Sequence, residues 1–359
     1  MSVVISMFGG LFDVLSAILT GFVKSRRPTG WGYWRHVVYT IFRVVTRVVG
    51  FVVTKFVSRV LVSSPFSHLT VLWTIRVADY DHADCIERYR LWAYIAGASG
   101  GWFGKKDASK ILLYFHGGGY IIPPAPGHFG VVADLVKHTK SHDGKDLGAF
   151  FLAYGIAPKH QYPTQLKHAV AALKYLIDVV GRDPQDIIIA GDSAGGNLCA
   201  ALLSHLSHPH PDVPKVDLGK GKKLGGVYFI SPWVTFRDDS PTMRSNADKD
   251  FLFPGDMSRI SGRFMGKAKT DNYTMPLSAP ADWWQGLLAK DICVVGGEYE
   301  VMLDDIRRFA SKLKIHNPQT ELYMAPQETH VQPITDRTMF IRKIAQSELK
   351  IREWFSTRL

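Results

Sequence analysis

The chain has 359 residues, 46% of them hydrophobic and 21% charged, a mix that excludes a disordered or collagen-like polymer. Its length allows roughly two domains of about 150 residues, or one large α/β domain carrying an insertion. Lys and Arg exceed Asp and Glu by 43 to 32, a net charge of +11. Cys85, Cys199 and Cys293 are widely spaced, so neither a disulfide framework nor a zinc finger is expected.

The charge is unevenly spread. Residues 1–78 hold nine basic residues and one acid, Asp13, which is +8 of the +11. These charges are embedded in apolar sequence, unlike the polar basic surface of a nucleic-acid domain, so no nucleic acid is expected as a partner. Val3 to Val23 is an apolar run of 21 residues broken by Asp13, long enough to cross a bilayer. Gly9, Gly10 and Asp13 weaken it as a span, and it lacks the basic start of a cleaved signal peptide. Val37 to Val62 reads as a helix with a narrow stripe containing Arg43 and Arg47, flanked by Lys55 and Arg59, and a wide apolar face. Such a helix suits an anionic membrane surface. Residues 1–78 are therefore expected to form a membrane-associating and cap segment, with residues 1–62 as the membrane contact. The protein is expected at a membrane, that of the endoplasmic reticulum, with its side undecided. Lys24-Ser-Arg-Arg27 favours a cytosolic catalytic domain, whereas the sequon Asn272-Tyr-Thr274 favours a luminal one.

The texture changes near residue 105. Ile111–Phe115, Ala149–Ala153, Ile187–Ala190, Val227–Ile230, Ile292–Val295 and Glu321–Met324 read as strands. They are mostly continuous apolar runs, as expected for strands buried on both faces of a parallel sheet. Helices are expected at Thr164–Val180, Ala194–Ser207, Val301–Ile315 and Arg337–Phe355. The alternation predicts an open, mostly parallel α/β sheet with helices on both faces, in a catalytic domain spanning 79–359. Residues 209–223 read as a surface loop, and 233–285 as an aromatic-rich insertion that would contribute to a cap.

Gly191-Asp-Ser-Ala-Gly195 lies between an expected strand and an expected helix. A sharp strand-to-helix turn with small neighbours presents a serine hydroxyl at the helix N-terminus. His116-Gly-Gly-Gly119 follows another strand, 77 residues before Ser193. Consecutive glycines let backbone N–H groups approach a reacting carbonyl, and the residues that follow lack the Lys-Ser/Thr of a phosphate loop. A nucleophilic serine needs a base and an acid to orient it, in chain order serine, acid, histidine. Glu298, Glu300 and Asp304 follow the strand at 292–295. His330, one of 14 histidines, is singled out by its place after the last strand and before the final helix.

These motifs, YFHGGGY, AYGIAPKHQYPTQLKHAVAALKYL, GDSAGGNL, SPWV at 231–234, PLSAP at 276–280 and GGEYEVMLDD, resemble the hormone-sensitive-lipase-type α/β-hydrolases. Within that family the chain looks most like the fungal branch that includes steryl acetyl hydrolases, over about residues 85–355. The resemblance implies an α/β-hydrolase fold and a serine esterase, with Ser193 as nucleophile, His330 as base and Glu300 as acid. It implies an oxyanion hole at Gly118, Gly119 and Ala194. The family usually has Asp where this chain has Glu300; Asp304 matches a family Asp whose usual role is structural. Neither a cofactor nor a metal is implied. The expected substrate is a small lipophilic ester, a short acyl ester, foremost acetyl, of a sterol, terpenoid or other secondary metabolite. The alternatives are a tailoring enzyme acting on one natural product, or a catalytically silent receptor. Oligomeric state is left open.

Overall fold

The computed structural model describes Val37, Ile41 and residues 93–95, 98–139 and 146–359. The span at 3–23 lies outside the described residues. So does the basic helix at 37–62 apart from Val37 and Ile41, which are both helical. Among the described residues, no helix is long and apolar enough to cross a membrane.

Among the described residues, eight strands form one sheet in the order β1-β2-β4-β3-β5-β6-β7-β8. They are β1 Ala93–Ile95, β2 Ala98–Phe103, β3 Lys110–Phe115, β4 Leu147–Ala153, β5 Ile187–Asp192, β6 Leu224–Ile230, β7 Ala289–Gly297 and β8 Glu321–Ala325. The pairs β1–β2 and β2–β4 are antiparallel, and every other pair is parallel. All six strands expected from the sequence are present. Their continuous apolar character follows from two cores. Ile111, Leu113 and Phe115 of β3 face one core with Phe150, Leu152 and Ile189. Leu112 and Tyr114 face the other with Phe151, Ile188 and Tyr228. The sequence reading missed β1 and β2. Gly100 and Gly101 interrupt any apolar run in β2, yet Gly100 is sterically required: a Cβ there would lie 2.1 Å from the Phe150 ring.

Among the described residues from 93 onward, the helices are α1 Pro126–Thr139, α2 Thr164–Lys174, α3 Ala194–Ser207, α4 Pro241–Ser245, α5 Asp256–Met265, α6 Leu303–His316, α7 Gln332–Thr338 and α8 Gln346–Ser356. A π-helical turn at Tyr175–Val179 continues α2. The single helix expected at 337–355 is instead two. Phe340 turns to φ 57°, and the N–H groups of Phe340 and Ile341 bond back to Arg337 and Asp336, closing α7 as a left-handed C-terminal turn does. No Gly or Pro marks that break.

In the 233–285 insertion, Phe264 of α5 stacks on Tyr120 at 4.0 Å, and Ile260 lies so close to Gly119 that a Cβ there would meet it at 2.7 Å. Leu277, Ala279 and Trp284 belong, with Phe264 and Tyr120, to the core on one face of the sheet. In the sequon, Thr274 is 1% exposed; its hydroxyl bonds the Asp271 carboxylate at 2.9 Å.

Candidate active site

Ser193 stands alone between β5 and α3, at φ 51° and ψ −114°. A non-glycine residue held there costs on the order of 1–3 kcal/mol, so its neighbours must hold it. Its N–H donates to the Ile230 carbonyl at 2.9 Å, and its carbonyl accepts from Trp233 at 2.9 Å and Asn197 at 3.0 Å. The flanking glycines are needed because the helix approaches the strands closely. A Cβ on Gly195 would lie 1.9 Å from the Phe115 carbonyl oxygen, and one on Gly191 would lie 2.4 Å from the Gly195 backbone. The half-buried serine thus sits at the positive end of α3, where negative charge is favoured.

The glycine loop leaves the end of β3. Gly118, Gly119 and Tyr120 have φ of 102°, 60° and 61°. Buried Asp192 anchors the loop by accepting from Gly117 N–H at 3.0 Å and Tyr114 hydroxyl at 2.7 Å. His128 Nδ1 accepts from Ala125 N–H at 2.9 Å. Its Nε2 meets the Asp192 carboxylate at 3.2 Å. Burial pushes the Asp192 pKa up, but His128, Tyr114 and His116 outweigh it and the net shift is downward. His116 is buried and stacks on Tyr154 at 4.2 Å. Burial, then the neighbouring His128, pushes its pKa down to about 3, so it is neutral and donates Nδ1–H to the Gly117 carbonyl at 2.7 Å. Among the described residues, the N–H groups of Gly118 and Gly119 donate to no protein acceptor. That of Ala194 opens α3, where first-turn N–H groups lack intrahelical partners.

Glu300, in the loop after β7, is fully buried. Its Oε2 meets His330 Nδ1 at 3.0 Å. Its Oε1 accepts from the Ser231 hydroxyl at 2.5 Å and from the Gly297 N–H. Ser231 Oγ in turn accepts from Val331 N–H at 3.2 Å. The loops after β6, β7 and β8 therefore join at one carboxylate. Ser193 is tied to the same network through Ile230, the residue before Ser231.

The other two acids of that loop lie elsewhere. Asp304 accepts from Thr242 N–H at 3.1 Å, and Glu298 is exposed. His330 is 2% exposed. Burial lowers its pKa, but the hydrogen bond and charge of Glu300, then Asp250 and Asp192, raise it more, and the net shift is upward. A carboxylate at Nδ1 keeps the proton there and leaves Nε2 as the basic nitrogen. A helix-terminal hydroxyl, an oriented imidazole and unpaired N–H groups are the parts that acyl transfer requires.

Two residues at this site had not been singled out from the sequence. Ser231 opens the SPWV segment after a strand, a signal that could have flagged it. Asp250, which accepts from His330 N–H at 3.2 Å, lies in the insertion with no motif around it.

Curated relatives include Esterase LipI of Mycobacterium tuberculosis, 28% identical over 59% of this chain and 64% of that protein. An acetyl-hydrolase of Streptomyces hygroscopicus is 30% identical over 60% of this chain and 66% of its own length. The arylacetamide deacetylase of Oryctolagus cuniculus is 32% identical over 48% and 44%. The chain thus spans less than two thirds of the length of these relatives. Among solved structures, an esterase/lipase from an uncultured bacterium superposes with a TM-score of 0.63 at 24% identity, covering 82% of this chain and 92% of its own. An esterase from the bacterial hormone-sensitive lipase family gives 0.61 at 22%, covering 82% and 99%; at these identities the likeness is one of fold. A family model described as alpha/beta hydrolase fold matches residues 112–333. With its mostly parallel sheet and a serine on the turn after β5, the chain belongs to the alpha/beta hydrolase fold family.

Proposed function

We propose that the protein is a serine esterase that hydrolyses carboxylic esters in two acyl-transfer steps. The observation that carries this reading is the buried Glu300–His330 pair, tied through Ser231 and Ile230 to the strained Ser193. In the first step Ser193 Oγ attacks the ester carbonyl while His330 Nε2 takes its proton. The oxyanion is held by the N–H groups of Gly118, Gly119 and Ala194. The carbon–oxygen bond to the alcohol then breaks, and His330 returns the proton to the departing alcohol. Water repeats the sequence on the acyl-serine, releasing the acid and restoring the Ser193 hydroxyl. Glu300 fixes the imidazole tautomer and offsets its charge.

The substrate class we favour is a short acyl, foremost acetyl, ester of a lipophilic alcohol such as a sterol or terpenoid. Relatives named acetyl-hydrolase and arylacetamide deacetylase support the acyl part. The half-buried side chain of Ile260 beside the glycine loop supports the lipophilic part. In this reading α5 acts as a cap over the loop, and residues 1–62 bring the enzyme to a membrane surface where such esters concentrate.

Ser193→Ala is expected to abolish cleavage of p-nitrophenyl acetate by the full-length protein. A panel of acetylated sterols, terpenoids and aryl esters then ranks the alcohols. Retention of most of the activity in Ser193→Ala would sink the mechanism.

A further inference from the structure

The turn at 246–250, between α4 and α5, meets both loops that carry the proposed acid and base. Asp250 is fully buried. Its Oδ2 accepts the N–H of Val301, the residue after Glu300, at 2.9 Å. Its Oδ1 accepts the N–H of His330 at 3.2 Å and that of Phe251 at 2.8 Å. Asn246, from the same turn, donates its amide to the carbonyls of Glu300 at 2.8 Å and Glu298 at 3.0 Å. Four bonds from one short turn therefore hold two loops that are thirty residues apart in sequence.

A buried carboxylate satisfied only by backbone N–H groups is expensive to keep charged. Burial pushes the Asp250 pKa up to about 6; His330 offsets part of this, and Glu300 adds to it. The charged groups facing Asp250 are His330 from the loop after β8 and Glu300 from the loop after β7. Those acting on His330 are Glu300, Asp250 and, from the end of β5, Asp192. An apolar residue here would leave the N–H groups of Val301, His330 and Phe251 without this acceptor, and the carboxylate also places a charge beside His330.

We propose that Asp250 is a positioning residue that holds the Glu300 and His330 loops in register and supplies a second negative charge to the imidazolium formed in each acyl-transfer step. The proposal rests on the Ser193–His330–Glu300 reading. Asp250 touches no substrate; it acts through the loops and through the field at the His330 ring. Hydrogen-bond partners that orient metal-ligating histidines contribute about 10- to 100-fold, and an effect of that order is expected for Asp250.

The test is Asp250→Asn in the full-length protein. Activity on p-nitrophenyl acetate is normalised to the Ser193 titrated with a fluorophosphonate and followed across pH. The expected result is a loss of about 10- to 100-fold in kcat with KM nearly kept. The acid limb of kcat/KM moves to lower pH, because an anion has left the surroundings of His330. A fall in kcat with an unmoved acid limb would overturn the proposal, since a purely structural carboxylate would produce that. So would activity within twofold of the parent. If Asp250→Asn does not fold, Asp250→Ser is read in the same way. Ser193→Ala run alongside separates the two levels. An active Ser193→Ala defeats the underlying mechanism, whereas an inactive one beside an unaltered Asp250→Asn defeats only the role of Asp250.

Discussion

Glu300 has one methylene more than the aspartate usual in the family it resembles, and the site accounts for the added length. One oxygen reaches His330 while the other is held by Ser231 and the Gly297 N–H. The proposed role makes the charge, and not only the shape, of this side chain essential. Glu300→Gln keeps the shape but can set its amide NH2 against the Nδ1–H of His330, favouring the wrong tautomer. A loss of about 10⁴ in kcat follows by analogy with the amide replacement in serine proteases, measured on p-nitrophenyl acetate after titrating active sites. Asp304→Asn, by contrast, should cost activity less than about tenfold, because Asp304 is engaged with Thr242 away from the histidine. Equal losses in the two variants would reverse the assignment of the acid. Much of the site was legible in the residues themselves. A serine between glycines after a strand, and a run of glycines after another, carry their chemistry in their spacing. The choice among three acids within seven positions was not legible from residues alone, because burial and the partner of each carboxylate are set by strands distant in sequence. Asp250 left no local signal either, since its partners are backbone N–H groups from two other loops.

At the level of elements, legibility followed the continuity of the apolar sequence: β2 is nearly all buried and was not expected, whereas the half-buried β8 was. Strands β3 to β7 are mostly buried and read as apolar runs, whereas β2 is interrupted by Gly100 and Gly101, the first of which makes room for Phe150. The end of α7 was hidden for a related reason: its stop is a left-handed Phe340 stabilised by returning N–H bonds, and neither Gly nor Pro announces it. The junction of β5 and α3 is the most tightly constrained contact of the fold's functional end. Gly195→Ala would drive a methyl group into the Phe115 carbonyl, a backbone atom that cannot rotate away. A destabilisation of about 3 kcal/mol is expected, or roughly 4–5 °C in Tm for a protein of this size, read by thermal denaturation. A Tm within 2 °C of the parent would show that the helix can shift at little cost and that the turn is less strained than its φ implies.

For the whole molecule, the +11 charge that first raised nucleic acid as a partner is concentrated in residues 1–78, leaving the catalytic body only mildly basic. If residues 1–62 provide the membrane contact, their deletion should move the protein from the pellet to the supernatant when it is sedimented with anionic vesicles. The esterase activity on p-nitrophenyl acetate serves as a check that the remainder folds. Unchanged partitioning would assign the contact to the catalytic domain. Asn272 is half-buried, and Thr274 of its sequon is sealed beneath the turn, its hydroxyl held by Asp271 and its carbonyl by Asn197. An oligosaccharyltransferase needs that hydroxyl free, so a sugar chain can be added only while this stretch is still unfolded. In a chain that enters the secretory route, occupancy at Asn272 therefore becomes a stopwatch: it reports whether transfer outran the docking of this turn onto the helix that carries the nucleophile.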